Sequence, residues 1–429
     1  MPIIPRINAL IVLGWVFFAR PLSAQVVEKI HMPNLATVQL FTYGDQQGLP
    51  VIRLSGQDRL QLEFDDLDGG VKNYYYTYVL CDYHWKPANL SSFDYIKGFT
   101  QIRINTYRTS SIALTRYTHY QAILPDKDCM PSRSGNYLLK VYLDGDTSKL
   151  AFTRQIMVTE PRSVISAQVV QPFIAERIRT HQKVKFSVNL KGLNSFSAAQ
   201  QVKVVILQNN RWDIAQRDIP PTIVRGNTLE FNAEQVAVFP GGKEWRWLDL
   251  RSFRLQSDRV ERADYKPSST EIFLFKDQDR SESRYLYFTD LNGTYRIMTA
   301  ENINPFNQGD YATVNFYFQP PNGRPFPGNL FLAGQFTGYQ KDDRWKMRFN
   351  NETGLYEQQA YLKQGYYNYT YLLTSDKSPD PLMDLEGNYW ETENSYTILV
   401  YFKGFADRCD QLIGVSTINS QSGRPGFSF

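Results

Sequence analysis

The sequence predicts an all-β protein built from tandem antiparallel β-sandwich domains of the immunoglobulin-like type. Three observations support this fold class. Apolar and polar residues alternate in many short segments, glycine-containing turns separate these segments, and the composition is rich in Tyr (28) and Phe (27). Alternation turns one face of each strand inward, and aromatic residues favour pleated, half-buried surfaces. Short strands separated by turns are typical of sandwiches.

The alternating segments are predicted to be half-buried strands. They read RLQLEF (59–64), KVKFSVNL (183–190), ATVNFYF (312–318) and YYNYTYLL (366–373). Asp-Gly and Asn-Gly pairs, such as Asn292-Gly293, fall between segments of this kind. These pairs adopt the backbone conformations that tight hairpins require. Sustained helical periodicity is scarce, so antiparallel strands joined by short turns are the expected organisation.

The segment NYYYTYVLCDYHWKP (73–87) contains five tyrosines and is predicted to be a central strand followed by a corner. Alternation divides its strand residues between two faces: Tyr74, Tyr76, Tyr78 and Leu80 on one, and Tyr75, Thr77, Val79 and Cys81 on the other. Both faces are bulky, which favours a buried strand over an exposed aromatic platform. A nucleic-acid platform would also have Lys and Arg interleaved with its aromatic residues. Trp85 is expected to cap the core at the corner.

Five parts are predicted along the chain. They are a secretory signal peptide (1–24), an N-terminal β-sandwich (25–161), a middle β-sandwich (162–301), a C-terminal β-sandwich (302–410) and a flexible tail (411–429). The first part has a basic start, an apolar run and small residues before Gln25, which is the layout of an export signal. The apolar run is shorter than the ~20 residues of a membrane span, so we expect an exported protein without a direct membrane span.

Composition and motifs argue against several classes of function. The net charge of +4 over 429 residues is small, whereas a nucleic-acid binder usually carries a clustered basic face. The sequence lacks the Gly-x-Ser-x-Gly nucleophile elbow, the two-histidine zinc motif and Gly-rich phosphate loops. Asp65, Asp66 and Asp68 precede a Gly-Gly pair and are predicted to be turn formers. We therefore expect a noncatalytic protein with no metal or cofactor.

The three cysteines leave two alternatives open. Cys81 and Cys129 fall in the same predicted domain and Cys409 lies near the C-terminus. Export permits a disulfide between Cys81 and Cys129. The alternative is that all three are buried free thiols, because three cysteines in a long chain do not make a disulfide scaffold.

Residues 329–373 resemble the carbohydrate-binding modules of glycogen-branching enzymes and of the regulatory subunit of AMP-activated kinase. The matching positions are Gly334, Phe336, Tyr339, Met347, Gly354, Tyr356, Gly365, Tyr367, Tyr369 and Tyr371. The resemblance implies a small antiparallel sandwich, and it makes Tyr339, Trp345 and Tyr356 the candidate glycan-binding residues. The chain departs from the module pattern at Thr337 and Tyr339, where the modules carry Asn and Trp. Aromatic residues at β period also fit a core, which is the alternative interpretation.

A second resemblance covers most of the chain. The segments YTYVLCDYHWKPANLSSFDYIKGF (76–99), YTHYQAILPDKD (117–128), SGNYLLKVYLDGD (134–146), FTRQIMV (152–158) and LEGNYWETENSYTILVYFKG (385–404) resemble the type IX secretion system plug protein family of the Bacteroidota. The resemblance implies an exported, noncatalytic protein at the periplasmic face of the outer membrane. Its implied partners are the translocon barrel, whose channel the plug closes, and other translocon subunits.

A loop rich in Trp and Arg is the predicted partner interface. It spans residues 239–254, and its candidate contact residues are Trp245, Arg246, Trp247, Arg251 and Arg254. Aromatic residues and arginine are enriched at protein interfaces. The alternative is that the two tryptophans pack beneath the loop. The alternative function for the whole chain is an envelope glycan-binding protein that uses the C-terminal module.

Overall fold

The computed structural model describes residues 28–193, 197–375 and 378–422, with only the backbone described from 378 to 383. The predicted signal peptide (1–24) lies outside these residues. Helical structure in the described ranges is limited to α1 (Ala198–Gln201) and to single 3₁₀ turns at Ser92–Asp94, Pro321–Gly323 and Gln335–Thr337. None of these helices approaches the length or apolar character that crossing a membrane demands. The all-β prediction is confirmed.

The first sandwich places two sheets face to face. Its strands are β1 (Leu35–Thr42), β2 (Val51–Arg53), β3 (Leu60–Asp66), β4 (Tyr74–Cys81), β5 (Ile96–Gly98), β6 (Ile102–Arg103), β7 (Thr106–Thr109), β8 (Thr118–Leu124), β9 (Cys129–Pro131), β10 (Gly135–Leu143) and β11 (Leu150–Thr159). One sheet has the order β1-β3-β8-β7, and the facing strands run β11-β10-β4-β6. The predicted central strand is β4, which pairs with β10 and β6. Its Tyr74, Tyr76 and Tyr78 are buried between the sheets.

The middle sandwich contains two segments of the chain that are distant in sequence. Its first segment contributes β12 (Val164–Val170), β13 (His181–Asn189), β14 (Val202–Gln208), β15 (Arg211–Arg217), β16 (Ile223–Arg225), β17 (Thr228–Phe231) and β18 (Val238–Pro240). The second segment contributes β30 (Ser395–Phe402) and β31 (Gln411–Asn419). β14 pairs with β30 along its whole length, and apolar residues of both segments share one core.

The third sandwich lies between those two segments in the sequence. Its strands are β19 (Arg246–Asp249), β20 (Val260–Lys266), β21 (Ser269–Leu274), β22 (Asp277–Gln278), β23 (Tyr295–Ile297), β24 (Tyr311–Gln319), β25 (Asn329–Ala333), β26 (Arg348–Asn350), β27 (Leu355–Lys363), β28 (Gly365–Ser375) and β29 (Ser378–Met383). One sheet follows the order β20-β21-β24-β27-β26, and β28 is the centre of the facing strands. Most pairings are antiparallel, and β21 pairs with β24 in parallel.

Two predicted boundaries differ from the structure. The boundary predicted at 301/302 lies inside the third sandwich, because β19 to β23 share a core with β24 to β28. The segment 411–429, predicted to be a flexible tail, instead provides β31, which pairs with β30 from Ser395↔Asn419 to Phe402↔Gln411. Period-two alternation identifies a strand, but it does not say which distant strand will be its partner. Residues 423–429 of that tail lie outside the described part of the chain.

The first two sandwiches share a sheet. Nine strands are joined in one sheet, with the path β15-β14-β30-β31-β11-β10-β4-β6 and β2 beside β11. The connection between the two halves is the contact of β11 with β31, where the Glu160 amide donates to the Leu412 carbonyl at 2.9 Å. On the face of this sheet that points away from the first core, the rings of Trp85 and Trp212 pack edge-on with their centres 5.0 Å apart. Trp85, at the corner after β4, therefore contacts the middle sandwich. Shared packing of this kind limits movement between the two units.

The chain crosses between the middle and third sandwiches twice, and the two crossings lie together. The Tyr389 amide donates to the Gly242 carbonyl at 2.9 Å. Gln182 donates its side-chain amide to the Thr392 carbonyl at 2.7 Å, and Asn394 donates to the Gly241 carbonyl at 2.8 Å. Because buried amides stabilise a structure only when they are satisfied, these bonds fix one relative position of the two crossings.

Candidate functional site

The structure places two of the five predicted interface residues in the interior. Trp245 is 9% exposed and packs edge-on against Tyr339 at 6.1 Å. Arg246 is 6% exposed and begins β19 rather than lying in a loop. Its guanidinium donates to Asp277 at 2.8 Å and to Glu386 at 3.0 Å. A partner protein cannot reach either residue, so the prediction of an exposed interface is wrong for Trp245 and Arg246.

Arg246 is the centre of a buried charged cluster that anchors β19. Arg259 also donates to Asp277, and Arg280 donates to Glu386. Burial acts to raise the pKa of Asp277, but Arg246 and Arg259 hold that pKa below its ordinary value. A buried charge is tolerated only when it is paired and hydrogen-bonded. This cluster is hard to predict from the sequence, because Arg246 lies 31 residues from Asp277 and 140 residues from Glu386 along the chain.

The other three predicted interface residues are at the surface. Trp247 packs edge-on against Phe288 at 4.9 Å and is partly buried. Arg251 pairs with Asp249 at 2.6 Å and keeps 43% of its side chain exposed. Arg254 is exposed. These three remain available to a partner.

The predicted glycan-binding residues do not form one exposed platform. Tyr356 is 4% exposed, and its hydroxyl accepts the Phe326 amide at 2.7 Å. The Tyr339 hydroxyl donates a hydrogen bond to the Gly293 carbonyl at 3.0 Å. The Arg211 guanidinium covers the Tyr339 ring, 4.6 Å from its centre. Trp345 packs against the core of the third sandwich. Tyr356 is therefore a core residue and Tyr339 is covered by Arg211, whereas Trp345 is only partly buried and its assignment to a glycan site stays a prediction.

Cys81 and Cys129 are free thiols in two different cores, and Cys409 is also buried and free. Cys81 faces the outer side of β4, in the cluster that contains Trp85. Cys129 lies on the inner side with Tyr76 and Tyr78. The large sheet separates the two sulfur atoms, so the structure contains no Cys81–Cys129 disulfide. Burial raises the pKa of each of these two thiols to about 12.

A buried polar cluster joins the first sandwich to the third. Its members come from β3, β8, β24 and β27, and they are Glu63, Asp65, His119, Tyr311 and Lys363. His119 contacts Asp65 through Nδ1 and Glu63 through Nε2, both at 2.7 Å. Lys363 donates from Nζ to Asp65 at 2.6 Å, and Tyr311 donates its hydroxyl to the same carboxylate at 2.5 Å. We call this set of five residues the junction cluster.

Local backbone geometry helps to assemble the junction cluster. The pairing of β1 with β3 shifts register between Ala36 and Gln39, and Thr37 in this bulge has a φ of +49°. A bulge turns a side chain out of its regular direction. The Thr37 hydroxyl consequently lies 2.6 Å from the Tyr311 hydroxyl. Asp65, which was predicted to be a turn former, is the sixth residue of β3 and is fully buried.

Charges within the junction cluster stabilise one another. Burial acts to lower the pKa of His119, but Asp65 and Glu63 raise it above its ordinary value. Burial acts to raise the pKa of Asp65, yet Lys363 and His119 bring that pKa below its ordinary value. At Lys363 burial outweighs the nearby carboxylates and lowers the pKa of the ammonium below its ordinary value, although Asp65 acts to raise it. Sequence reasoning missed this cluster, although Glu63 and Asp65 on the polar face of an otherwise apolar strand were a sign of it.

Within residues 28–193, 197–375 and 378–422, no group of His, Cys, Asp or Glu side chains is arranged to hold a metal ion, and Glu63, Asp65 and His119 bond to one another instead. The structure instead defines a class: an all-β protein of three sandwiches fused through a shared sheet and buried polar junctions, with its remaining candidate contacts on the surface.

Comparison with known proteins identifies the family within this class. Residues 35–160 match the family described as the type 9 secretion system plug protein 1st domain. A crystal structure of a hypothetical protein from Parabacteroides merdae has a TM-score of 0.87 and 30% sequence identity, covering 91% of this chain and 98% of that one. No curated protein matches the chain. The chain belongs to the type IX secretion system plug protein family, so it has a role associated with that secretion machinery in the cell envelope.

Proposed function

We propose that the protein is a noncatalytic plug that binds the periplasmic side of the outer-membrane translocon barrel and closes its channel. The match of residues 35–160 to the first domain of the plug family carries this proposal. The similarity to the hypothetical protein from P. merdae extends over 91% of the chain, so the arrangement of the sandwiches recurs in another protein. The periplasmic location is part of the proposal and depends on export by the predicted signal peptide.

The mechanical properties of the fold suit such a role. A pore that passes folded proteins leaks solutes unless the occluding body keeps its shape. Here the first and middle sandwiches share a nine-stranded sheet. The first and third are joined by the junction cluster, in which Lys363 and Asp65 are 0% and 1% exposed. Packed interiors resist deformation, so the three units are expected to occlude the channel as one body.

The surface residues of the predicted interface allow a test without disturbing the fold. Arg251 and Arg254 are accessible, whereas deletion of the segment around them would remove β19 and the buried Arg246. Arginine is favoured at interfaces because its guanidinium binds carboxylates in a bidentate manner. We therefore expect Arg254→Glu to weaken barrel binding and to leave folding unchanged.

Affinity capture from solubilised outer membrane tests the proposal. The tagged chain is expected to retain the translocon barrel. A folded chain that captures no barrel would contradict the proposal. Titration with soluble glucans is the accompanying measurement, and we expect no binding, since Tyr356 is in the core and Tyr339 is covered by Arg211.

A further inference from the structure

The hairpin between β7 and β8 presents aliphatic side chains at an exposed tip. Ile112 is 72% exposed and Leu114 is 50% exposed, with Ala113 between them. Single exposed apolar residues are ordinary on protein surfaces. Here two large ones stand almost side by side at the end of a protruding turn, where binding residues are often found.

The tip has a backbone conformation that its own sequence disfavours. Ile112 has a φ of +62°. Side chains branched at Cβ rarely adopt this left-handed conformation, which glycine and asparagine tolerate far better. A conformation of this kind costs free energy and persists only where the surroundings impose it, commonly at functional sites.

The third sandwich holds the residues on either side of Ile112. The Asp310 carboxylate accepts the Leu114 amide at 2.9 Å and the Thr115 amide at 3.0 Å. The Ser111 amide donates to the Asn307 carbonyl at 3.1 Å. These bonds hold the tip from a different unit of the protein. The backbone that carries the two aliphatic side chains is therefore fixed before any partner arrives.

Two arginines of the hairpin are unpaired among the described residues, and the Asp310 carboxylate at the tip is already bonded to the Leu114 and Thr115 amides. Arg108 and Arg116 are both exposed, and neither forms an ion pair or a side-chain hydrogen bond within the described part of the chain. The tip is thus an aliphatic protrusion bordered by positive charge. Its complement is an apolar recess bordered by carboxylates, because charge complementarity steers and orients association.

We propose that residues 111–114 are an anchor that inserts into such a recess on the translocon barrel. The inference rests on the proposed function and adds the surface that makes the contact. A tip with a fixed backbone favours a protein recess over a lipid bilayer. A shaped pocket binds a preorganised element at a lower entropic cost, whereas binding to a fluid bilayer does not depend on one fixed geometry.

Ile112→Asn tests the anchor and separates binding from folding. Asparagine relieves the strain at φ +62° but removes the aliphatic side chain. We expect an unchanged or higher melting temperature together with at least tenfold weaker capture of the barrel. Val224→Asn is the matched control, since Val224 is 45% exposed on β16, and we expect it to bind like the parent chain. Parent-like binding of Ile112→Asn would overturn the inference.

A photo-crosslinker placed at position 112 identifies what the tip contacts. We expect an adduct with the barrel in isolated outer membranes. Adducts with phospholipid alone, or binding to vesicles of phosphatidylethanolamine and phosphatidylglycerol that Ile112→Asn abolishes, would replace the protein recess by a membrane surface and overturn the inference. If the parent chain itself captures no barrel, the proposed function fails. If the parent binds and position 112 makes no adduct with the barrel, only the anchor fails.

Discussion

Replacing Lys363 by methionine tests the importance of the junction cluster. The Lys363 side chain is 0% exposed, and its ammonium lies 2.6 Å from Asp65 and 4.2 Å from the centre of the Tyr117 ring. Methionine preserves most of the apolar stem but removes the charge. Asp65 then stays buried with two of its partners, His119 and Tyr311.

The expected cost follows from the burial of the pair. Removing one partner of a buried ion pair costs about 3–5 kcal/mol, because the remaining charge is left uncompensated. Asp65 retains its contacts with the His119 ring and the Tyr311 hydroxyl, so we expect the lower end of the range, about 3 kcal/mol. Adding Asp65→Asn to Lys363→Met removes the carboxylate charge that Lys363→Met leaves without its partner. The double variant should then be at least about 1.5 kcal/mol more stable than the sum of the two single effects.

Urea unfolding of the four chains measures this coupling. Lys149→Met is the control, because Lys149 and Asp144 are 3.5 Å apart with side chains 49% and 50% exposed. An exposed pair contributes less than about 1 kcal/mol. A cost for Lys363→Met no greater than that of the control, or strictly additive effects in the cycle, would refute the view that the junction cluster joins the two sandwiches.

Two further predictions concern buried titratable groups. Burial raises the pKa of Asp290 to about 7 from its ordinary value of 3.8, so the folded chain binds this proton more tightly than the unfolded chain. The free energy of unfolding should therefore fall by about 2 kcal/mol as the pH rises from 5 to 7 and level off only above about pH 8. In urea titrations Asp290→Asn should lack this loss, and an equal loss in both chains would contradict the assignment. Cys81 and Cys129 are fully buried thiols with raised pKa values. Ellman's reagent should label them only in denaturant, and rapid labelling of the folded chain would show that their cores are open.

The sequence was sufficient for local structure. Alternation located β3, β13, β24 and β28, and the bulk on both faces of 73–87 correctly indicated a central strand. These features depend on neighbouring residues only. Such patterns are fixed by the period of the strand, so a single sequence carries them.

The same patterns could not predict which strands that are distant in the sequence pair with one another. The segment QLIGVSTIN (411–419) looked like a polar tail, yet it becomes β31 because β30 supplies its backbone partners and the middle core takes Ile413. Arg246 looked like an interface residue because its acidic partners are distant in the sequence. The sequence can point to single members of a buried polar cluster, such as Glu63 and Asp65, but only the topology shows their partners, which is also why the junction cluster was not predicted.

The most direct test of the account is the permeability of the translocon barrel reconstituted in liposomes. Adding the chain from the periplasmic side should reduce the efflux of a small dye in proportion to the fraction of barrels occupied, with Arg254→Glu and Ile112→Asn needing higher concentrations. Undiminished efflux from barrels that carry a bound chain would contradict the claim that the protein closes the channel.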